Sequence, residues 1–307
     1  MHFPLLPFLL TLVAVSTVAA AQQPAEIVAQ APAGEWRAIS PDDLLVMELA
    51  PGARGAPRRI VLQLMPAPFA PRHIANIRAL ARAHWWDGAG INRVQDNYVV
   101  QWGEVTAARP LPPGLAVAPA SDYAAPAGAV TGSGSMNEGA GMSWQTRDPY
   151  AKWVGFYRGW PVASDGRSTW PVHCYGMLGV GRDMAPDTGS GAELYVVIGH
   201  APRHLDRNVA LVGRVIEGVE HLSSLPRGTG NLGFYKDAAD QVRIRSIRPA
   251  RDLPEAEQPR FEMLATDGAS FARYVAARAN RKDDFFIAPA GGVDICNVPV
   301  PVRVRAR

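Results

Sequence analysis

The chain has 307 residues, 48% of them hydrophobic and 19% charged, a composition typical of globular proteins and not of disordered ones. Its formal net charge is +3, and its basic residues are scattered except in the C-terminal RVRAR, which argues against a nucleic-acid-binding protein. The 27 prolines and 29 glycines favour many turns and short strands, so we expect a mainly β fold.

Residues 1–21 are predicted to be a signal peptide. An apolar stretch from Phe3 to Val18 is followed by Ala19-Ala20-Ala21, small residues that suit a cleavage site. We therefore expect a periplasmic or secreted protein. An uncleaved membrane anchor is the alternative, because the apolar stretch approaches the roughly 18 residues needed to cross a bilayer.

Two short strands and a helix are predicted next. LLVMEL (44–49) and RIVLQLM (59–65) flank a proline- and glycine-containing turn and should pair as a hairpin. From Pro71, apolar residues recur at three- and four-residue spacing, which predicts an amphipathic helix that lasts until Asp87-Gly88. His73 falls outside the apolar stripe, so we expect it at the surface.

The segment 105–172 shows no regular pattern before about residue 150. It is rich in proline, alanine, glycine and serine, which is typical of irregular structure. We expect a long surface insertion.

Strand patterning returns in CYGMLGVG (174–181), ELYVVIG (193–199), VALVGRVIEG (209–218) and QVRIRSIRPA (241–250). Strands at this spacing, separated by glycine-containing turns, indicate a closed barrel or a sandwich. In the remaining tail, 251–307, we expect one helix around Phe271–Asn280 and a final extended segment whose prolines restrict it to a sheet edge.

The chain contains two cysteines, Cys174 and Cys296. In an oxidising compartment they could form a bridge that closes a loop of over a hundred residues, a contribution of about 4 kcal/mol in the chain-entropy model. The alternative is two separate buried thiols.

Taken in order, these segments resemble the cyclophilin family of peptidyl-prolyl cis-trans isomerases, in a divergent, bacterial, exported form. INRVQDNYVVQWGE (91–104) is similar to the family signature F-H-R-V-I-x-x-F-x-x-Q-G-G-D, and HLDRNVALVGRVIEGVEHL (204–222) to its L-D-G segment. The resemblance implies a closed antiparallel β-barrel, capped by two helices, over residues 43–250. The segment 105–172 would be an insertion in it, and 251–307 an extension that packs on the barrel.

The resemblance also implies site residues. Arg93 falls on the catalytic arginine and Gln101 on the active-site glutamine of the family. The positions that match its substrate-binding residues are Ile91, Tyr98, Glu193, Tyr195, His204 and Leu205.

The second half of this site departs from the family pattern. Glu193 replaces a neutral glutamine, and Leu194 or Tyr195 replaces a phenylalanine. A carboxylate at 193 could pair with Arg93 and weaken its action, or it could point to solvent at a sheet edge. Arg182 and Val209 are further departures.

Isomerisation of an X–Pro bond explains the residue types. Amide resonance sets a barrier of about 18–20 kcal/mol, which an arginine lowers by donating to the prolyl nitrogen or by stabilising the twisted carbonyl. Neither a metal nor a cofactor is needed. We expect a monomer that acts on proline-containing polypeptides. The alternatives are a catalytically weak binding module or chaperone, and an Arg93 that is only a paired structural arginine.

Overall fold

The computed structural model describes residues 22–130, 143–283 and 285–306. The predicted signal peptide, residues 1–21, lies outside the described residues. The helices in these ranges are α1 (Pro24–Ala29), α2 (Pro71–Arg82), α3 (Glu220–Ser223) and α4 (Ala269–Ala279). None of these described helices is long and apolar enough to cross a membrane.

The strands are short, as the many turn residues predict. They are β1 (Trp36–Ala38), β2 (Leu44–Leu49), β3 (Arg58–Leu64), β4 (Ile91–Val94), β5 (Val99–Trp102), β6 (Ala125–Pro126), β7 (Ser143–Asp148), β8 (Ala151–Tyr157), β9 (Trp160–Ser164), β10 (Ser168–Pro171), β11 (Met177–Val180), β12 (Leu194–Val197), β13 (Leu211–Glu217), β14 (Ile244–Pro249), β15 (Phe261–Leu264) and β16 (Val302–Val304).

Eight strands form a nearly closed antiparallel barrel in the order β14-β2-β3-β13-β11-β12-β5-β4. Its two end strands meet where Gly90 bridges Arg243 and the Ile91 N–H donates to the Val242 carbonyl at 2.9 Å. Helix α2 contacts β14, and α3 contacts β3. The predicted mainly β class, with an antiparallel barrel and two capping helices, is confirmed.

Strand β2 is buried on both faces. Leu45, Met47 and Leu49 point into the main core, whereas Leu44 and Val46 pack in a second cluster outside the barrel. A strand covered on both sides has no polar face, which is why LLVMEL reads as a nearly continuous apolar run. As predicted, β2 and β3 pair as a hairpin.

Helix α2 forms where its apolar stripe predicts it, with Pro71 in the first turn and Ile74, Ile77 and Leu80 buried. The predicted end at Asp87-Gly88 is wrong, because α2 stops at Arg82 and His84 follows with a φ of 56°. The expectation for His73 is also wrong. Its ring is fully buried, and its Nε2 lies 3.0 Å from the Thr188 carbonyl.

The segment 105–172 is more ordered than its composition predicts. It contains a five-stranded antiparallel sheet in the order β6-β10-β9-β8-β7. Phe156, Trp160 and Trp170 from this sheet are almost fully buried and belong to the main core cluster. The expectation of an irregular surface insertion is therefore wrong for this part. Large aromatic side chains supply enough buried area to hold short strands that show no clean two-residue period.

The C-terminal tail supplies β15 and β16, which form a three-stranded sheet with β1, and α4, which contacts α1. Strand β16 lies at the sheet edge, as its prolines predict. Cys174 and Cys296 form a disulfide with their Cα atoms 5.0 Å apart, so the alternative of two separate thiols is wrong.

Loss of this disulfide should weaken the fold. The bridge spans a sequence separation of 122 residues, so its removal releases a long loop in the unfolded chain. For a Cys174→Ser/Cys296→Ser variant we expect the free energy of unfolding in urea to fall by about 3 kcal/mol. Reductant should lower the free energy of unfolding of the wild type to the value of the double variant, and it should leave that of the double variant unchanged. Equal midpoints for the oxidised wild type and the double variant would contradict this expectation.

Candidate active site

A β-bulge decides which residues of β4 face outward. Ile91 pairs with Trp102 of β5 and Arg93 with Gln101, so Asn92 is an extra residue without a counterpart. In a regular strand Ile91 and Arg93 would share a face, but the bulge re-aims them. Ile91 is fully buried in the main core, whereas Arg93 is half-buried. The assignment of Ile91 to the substrate-binding residues is therefore wrong.

The Arg93 guanidinium is held by three neutral acceptors. Its Nε donates to the Leu232 carbonyl at 2.7 Å, and one terminal nitrogen donates to the Gln101 Oε1 at 3.1 Å. The other terminal nitrogen donates to the Gln95 Oε1. A guanidinium has five N–H groups, so one on each terminal nitrogen has no acceptor among the described residues. Among the described residues no carboxylate lies within 4 Å of Arg93, and burial lowers the pKa of Arg93.

Two aromatic rings flank this guanidinium. The Tyr98 centroid lies 5.7 Å and the Phe234 centroid 5.3 Å from the Arg93 Cζ. Phe234 and the Leu232 carbonyl were missed in the sequence. The glycines of RGTGNLG (227–233) were the available signal, since a Cβ on Gly233 would lie 2.6 Å from the Gln95 Cα. The glycine therefore lets this loop approach β4 closely.

Glu193 reaches Arg93 only through Gln101. The Gln101 Nε2 donates to the Glu193 Oε2 at 3.1 Å, while the Gln101 oxygen accepts from Arg93. This amide orientation follows from its neighbours, because a guanidinium only donates and a carboxylate only accepts. Glu193 is half-buried, and burial raises the pKa of its carboxyl. Glu193 therefore forms no direct ion pair with Arg93, and its carboxylate is partly, not fully, exposed to solvent.

A small apolar cluster lies beside the arginine. Val99, Tyr195 and Val197 are buried in it, and the half-buried Tyr98 and Val209 pack against them. The exposed His204 stacks on Tyr98, with ring centroids 6.3 Å apart and planes 9° from parallel. We call this group of side chains, which lies beside the Arg93 guanidinium, the apolar pocket.

Leu205 is placed less directly. It is half-buried in a short turn with His204, and its carbonyl accepts from the Val209 N–H at 3.3 Å. Leu205 therefore ties the His204 turn to Val209, and the structure records no side-chain contact between it and Arg93. Within the described ranges, no three His, Cys, Asp or Glu side chains are grouped as they are around a metal ion.

An eight-stranded antiparallel barrel that presents an arginine beside an apolar pocket defines a cyclophilin-like class of protein. The model of the cyclophilin-type peptidyl-prolyl cis-trans isomerase/CLD family matches residues 53–248, more than half of the chain. The chain therefore belongs to this family.

One solved structure supports the fold, and a second is a weaker match. Cyclophilin AquaCyp293 from Hirschia baltica superposes with a TM-score of 0.63 at 22% sequence identity, covering 89% of this chain and 95% of that one. A cyclophilin-type peptidyl-prolyl cis-trans isomerase from Cryptosporidium parvum matches with a TM-score of 0.38 at 12% identity, covering 67% of this chain and 96% of that one. No curated protein sequence shows a significant match.

Proposed function

We propose that this protein is a peptidyl-prolyl cis-trans isomerase that acts on X–Pro bonds by a non-covalent mechanism, with Arg93 as its catalytic residue. The observation that carries the proposal is the state of Arg93. Its charge is not neutralised by a carboxylate of the described residues, it keeps two free N–H groups, and it borders an apolar pocket.

The geometry suits the chemistry of a twisted amide. When the X–Pro bond rotates, resonance is lost and the prolyl nitrogen gains a lone pair that can accept a hydrogen bond. A free Arg93 N–H can donate to this nitrogen, an interaction that the planar ground state cannot make, so it lowers the barrier selectively. Tyr98, Val99 and Tyr195 hold the proline ring and exclude water, which strengthens the electrostatic effect of the guanidinium.

Gln101 has two roles in this proposal. Its oxygen fixes the Arg93 fork, and its amide group lies where a substrate backbone would pass. His204, stacked on Tyr98, extends the apolar wall toward solvent. Leu232 and Phe234, 57% and 37% exposed, add an apolar rim on the other side of Arg93. This rim would favour substrates with an apolar residue next to the proline.

The proposed substrates are proline-containing segments of exported proteins. The disulfide between Cys174 and Cys296 supports this location, because such bridges persist in oxidising compartments. The apolar stretch at the N-terminus supports it from the sequence side.

The test is a prolyl isomerisation assay on the wild type with an Ala-Ala-Pro-Phe tetrapeptide, together with refolding of a protein limited by a cis-proline. Catalysis of both is expected. A wild type that accelerates neither reaction at micromolar enzyme would contradict the proposed activity.

The contact between Gln101 and Glu193 favours a second candidate function, a binding module or chaperone with weak catalysis. The Glu193 carboxylate accepts a hydrogen bond from the Gln101 amide, whose oxygen accepts one from Arg93. Its negative charge therefore lies close to the guanidinium and lowers the positive potential that a substrate meets. Protection of an aggregating client without measurable isomerisation would favour this candidate.

A Glu193→Gln substitution measures how strong this effect is. At neutral pH we expect kcat/KM to rise about two- to fivefold, because the charge is removed while the hydrogen bond to Gln101 is kept. Glu193 has a raised pKa, so its carboxyl is neutral below that pKa, which lies above the ordinary 4.5, and charged at higher pH. The ratio of variant to wild-type kcat/KM should therefore fall toward one on acidification.

The matched control for this experiment is Glu217→Gln, the same change at an exposed position of β13. It should leave kcat/KM unchanged at every pH. If the variant-to-wild-type ratio of Glu193→Gln stays constant across the acid range, the carboxylate does not act on Arg93.

A further inference from the structure

A buried chain of polar side chains runs from the wall of the apolar pocket to the sheet of the insertion. The Tyr195 hydroxyl lies 2.8 Å from the His173 Nε2, and the His173 Nδ1 lies 2.8 Å from the Asp206 Oδ1. The other Asp206 oxygen accepts from the Arg203 Nε at 2.7 Å. Arg203 then donates twice to Asp148 of β7, at 2.9 and 3.0 Å. His173 is 1% exposed and Tyr195 is 6% exposed.

The neighbours of His173 determine where its proton lies. The Asp206 Oδ1 also accepts from the His173 backbone N–H at 3.0 Å, so this carboxylate oxygen acts only as an acceptor. The ring therefore carries its hydrogen on Nδ1 and accepts the Tyr195 O–H at Nε2. Burial lowers the pKa of His173 and raises that of Tyr195 well above 10.0, which keeps both groups neutral. The hydroxyl of Tyr195 is thus drawn away from the pocket.

Gly179 makes room for this arrangement. It lies directly opposite Tyr195 in the pairing of β11 with β12. A Cβ at this position would fall 2.3 Å from both the Tyr195 hydroxyl oxygen and its Cζ. Gly179 does not have a positive φ, so space, and not backbone conformation, explains the glycine. The arrangement therefore depends on three residues: Tyr195, Gly179 opposite it on the neighbouring strand, and His173, which accepts the hydroxyl hydrogen bond.

We propose that His173, held by Asp206, is a positioning residue that fixes the Tyr195 ring as a wall of the apolar pocket. This inference deepens the proposed isomerase function and rests on it. Without this hydrogen bond, the Tyr195 ring loses the contact that fixes its orientation, so its apolar face is no longer held against the proline site. A wall that contacts the substrate equally in its planar and twisted states affects binding and not the chemical step.

The test uses Tyr195→Phe, which deletes only the hydroxyl. We expect KM for the Ala-Ala-Pro-Phe tetrapeptide to rise about three- to tenfold, the range of one net hydrogen bond, while kcat stays within about twofold. His173→Leu and Gly179→Ala should raise KM in the same way. His173→Gln should restore part of the affinity, because its amide can donate to Asp206 and accept from Tyr195.

The matched control is Tyr274→Phe, which deletes another buried hydroxyl, one that donates to the Pro299 carbonyl at 2.9 Å in the C-terminal tail. It should lower stability without changing KM. If Tyr195→Phe behaves like this control, with a lower melting temperature and an unchanged KM, the positioning role is overturned.

Peptide affinity measured by NMR titration separates this inference from the proposed function. A wild type that binds the tetrapeptide without isomerising it refutes the proposed function, and the effect of Tyr195→Phe on Kd then decides the role of His173. A wild type that does not bind the peptide overturns both.

Discussion

Replacement of Arg93 by alanine should reduce kcat/KM for a prolyl tetrapeptide by about a hundredfold or more, while the peptide Kd changes by less than about threefold. Loss of one preorganised donor to a transition state typically removes this much rate. In the proposed mechanism Tyr98, Val99 and Tyr195 hold the proline ring in the ground state, and the substitution leaves these side chains unchanged. Isomerisation measured by NMR exchange, with Kd from the same samples, checks both quantities.

Two further variants make the Arg93 experiment decisive. Arg245→Ala removes an exposed arginine of β14 that has no hydrogen-bond or ion-pair partner among the described residues, and it should leave kcat/KM unchanged. Arg93→Lys keeps a positive charge but loses the planar fork that bonds Leu232 and Gln101 at once, so we expect it to recover only a small part of the rate. Normal turnover by Arg93→Ala would remove this residue from the mechanism and favour a binding module.

Replacement of Arg203 by leucine should lower the free energy of unfolding by about 4 kcal/mol. The side chains of Arg203, Asp148 and Asp206 are 4%, 3% and 6% exposed, so the substitution leaves two carboxylates buried without their cation. Removal of one partner from a buried ion pair typically costs about 3–5 kcal/mol for this reason. Urea denaturation followed by tryptophan fluorescence measures the change.

An exposed ion pair of the same kind provides the control. Arg251 donates to both oxygens of Asp42, at 3.0 and 2.9 Å, but the two side chains are 53% and 57% exposed. Arg251→Ala should leave the urea midpoint almost unchanged, since surface pairs are screened by water. If Arg203→Leu and Arg251→Ala lower the free energy of unfolding by similar amounts, burial does not explain the stabilising effect of the Arg203 ion pairs.

The sequence located the centre of the candidate site, because the motif around Arg93 is contiguous. Arg93, Tyr98 and Gln101 lie within nine residues of one another. Arg93 and Gln101 are on the paired strands β4 and β5 and Tyr98 is in the turn between them, so a short stretch of sequence determines how they are arranged. Ile91 belongs to the same motif and was still misplaced. The bulge at Asn92 depends on how β4 pairs with β5, and a strand pattern alone does not show it.

The contacts of Glu193 and of the Leu232 carbonyl could not be predicted from a contiguous motif. Glu193 was recognised as a departure from the family, but its contact with Gln101 joins residues 92 positions apart. The Leu232 carbonyl reaches Arg93 across 139 positions, and no local pattern marks a backbone oxygen as a partner. The sequence likewise did not show that the aromatic residues of the insertion fill the core next to the barrel.

By itself, the sequence determined the mainly β class, the hairpin of β2 and β3, the start of α2 and the core motif around Arg93. These features depend on periodicity, turn residues and a contiguous motif, all of which act over a few neighbouring residues. Only the tertiary structure decided that Glu193 contacts Gln101 and that His173 lies in hydrogen-bond contact with Tyr195. Buried polar groups must find partners wherever the fold brings them together, and sequence distance does not limit that choice.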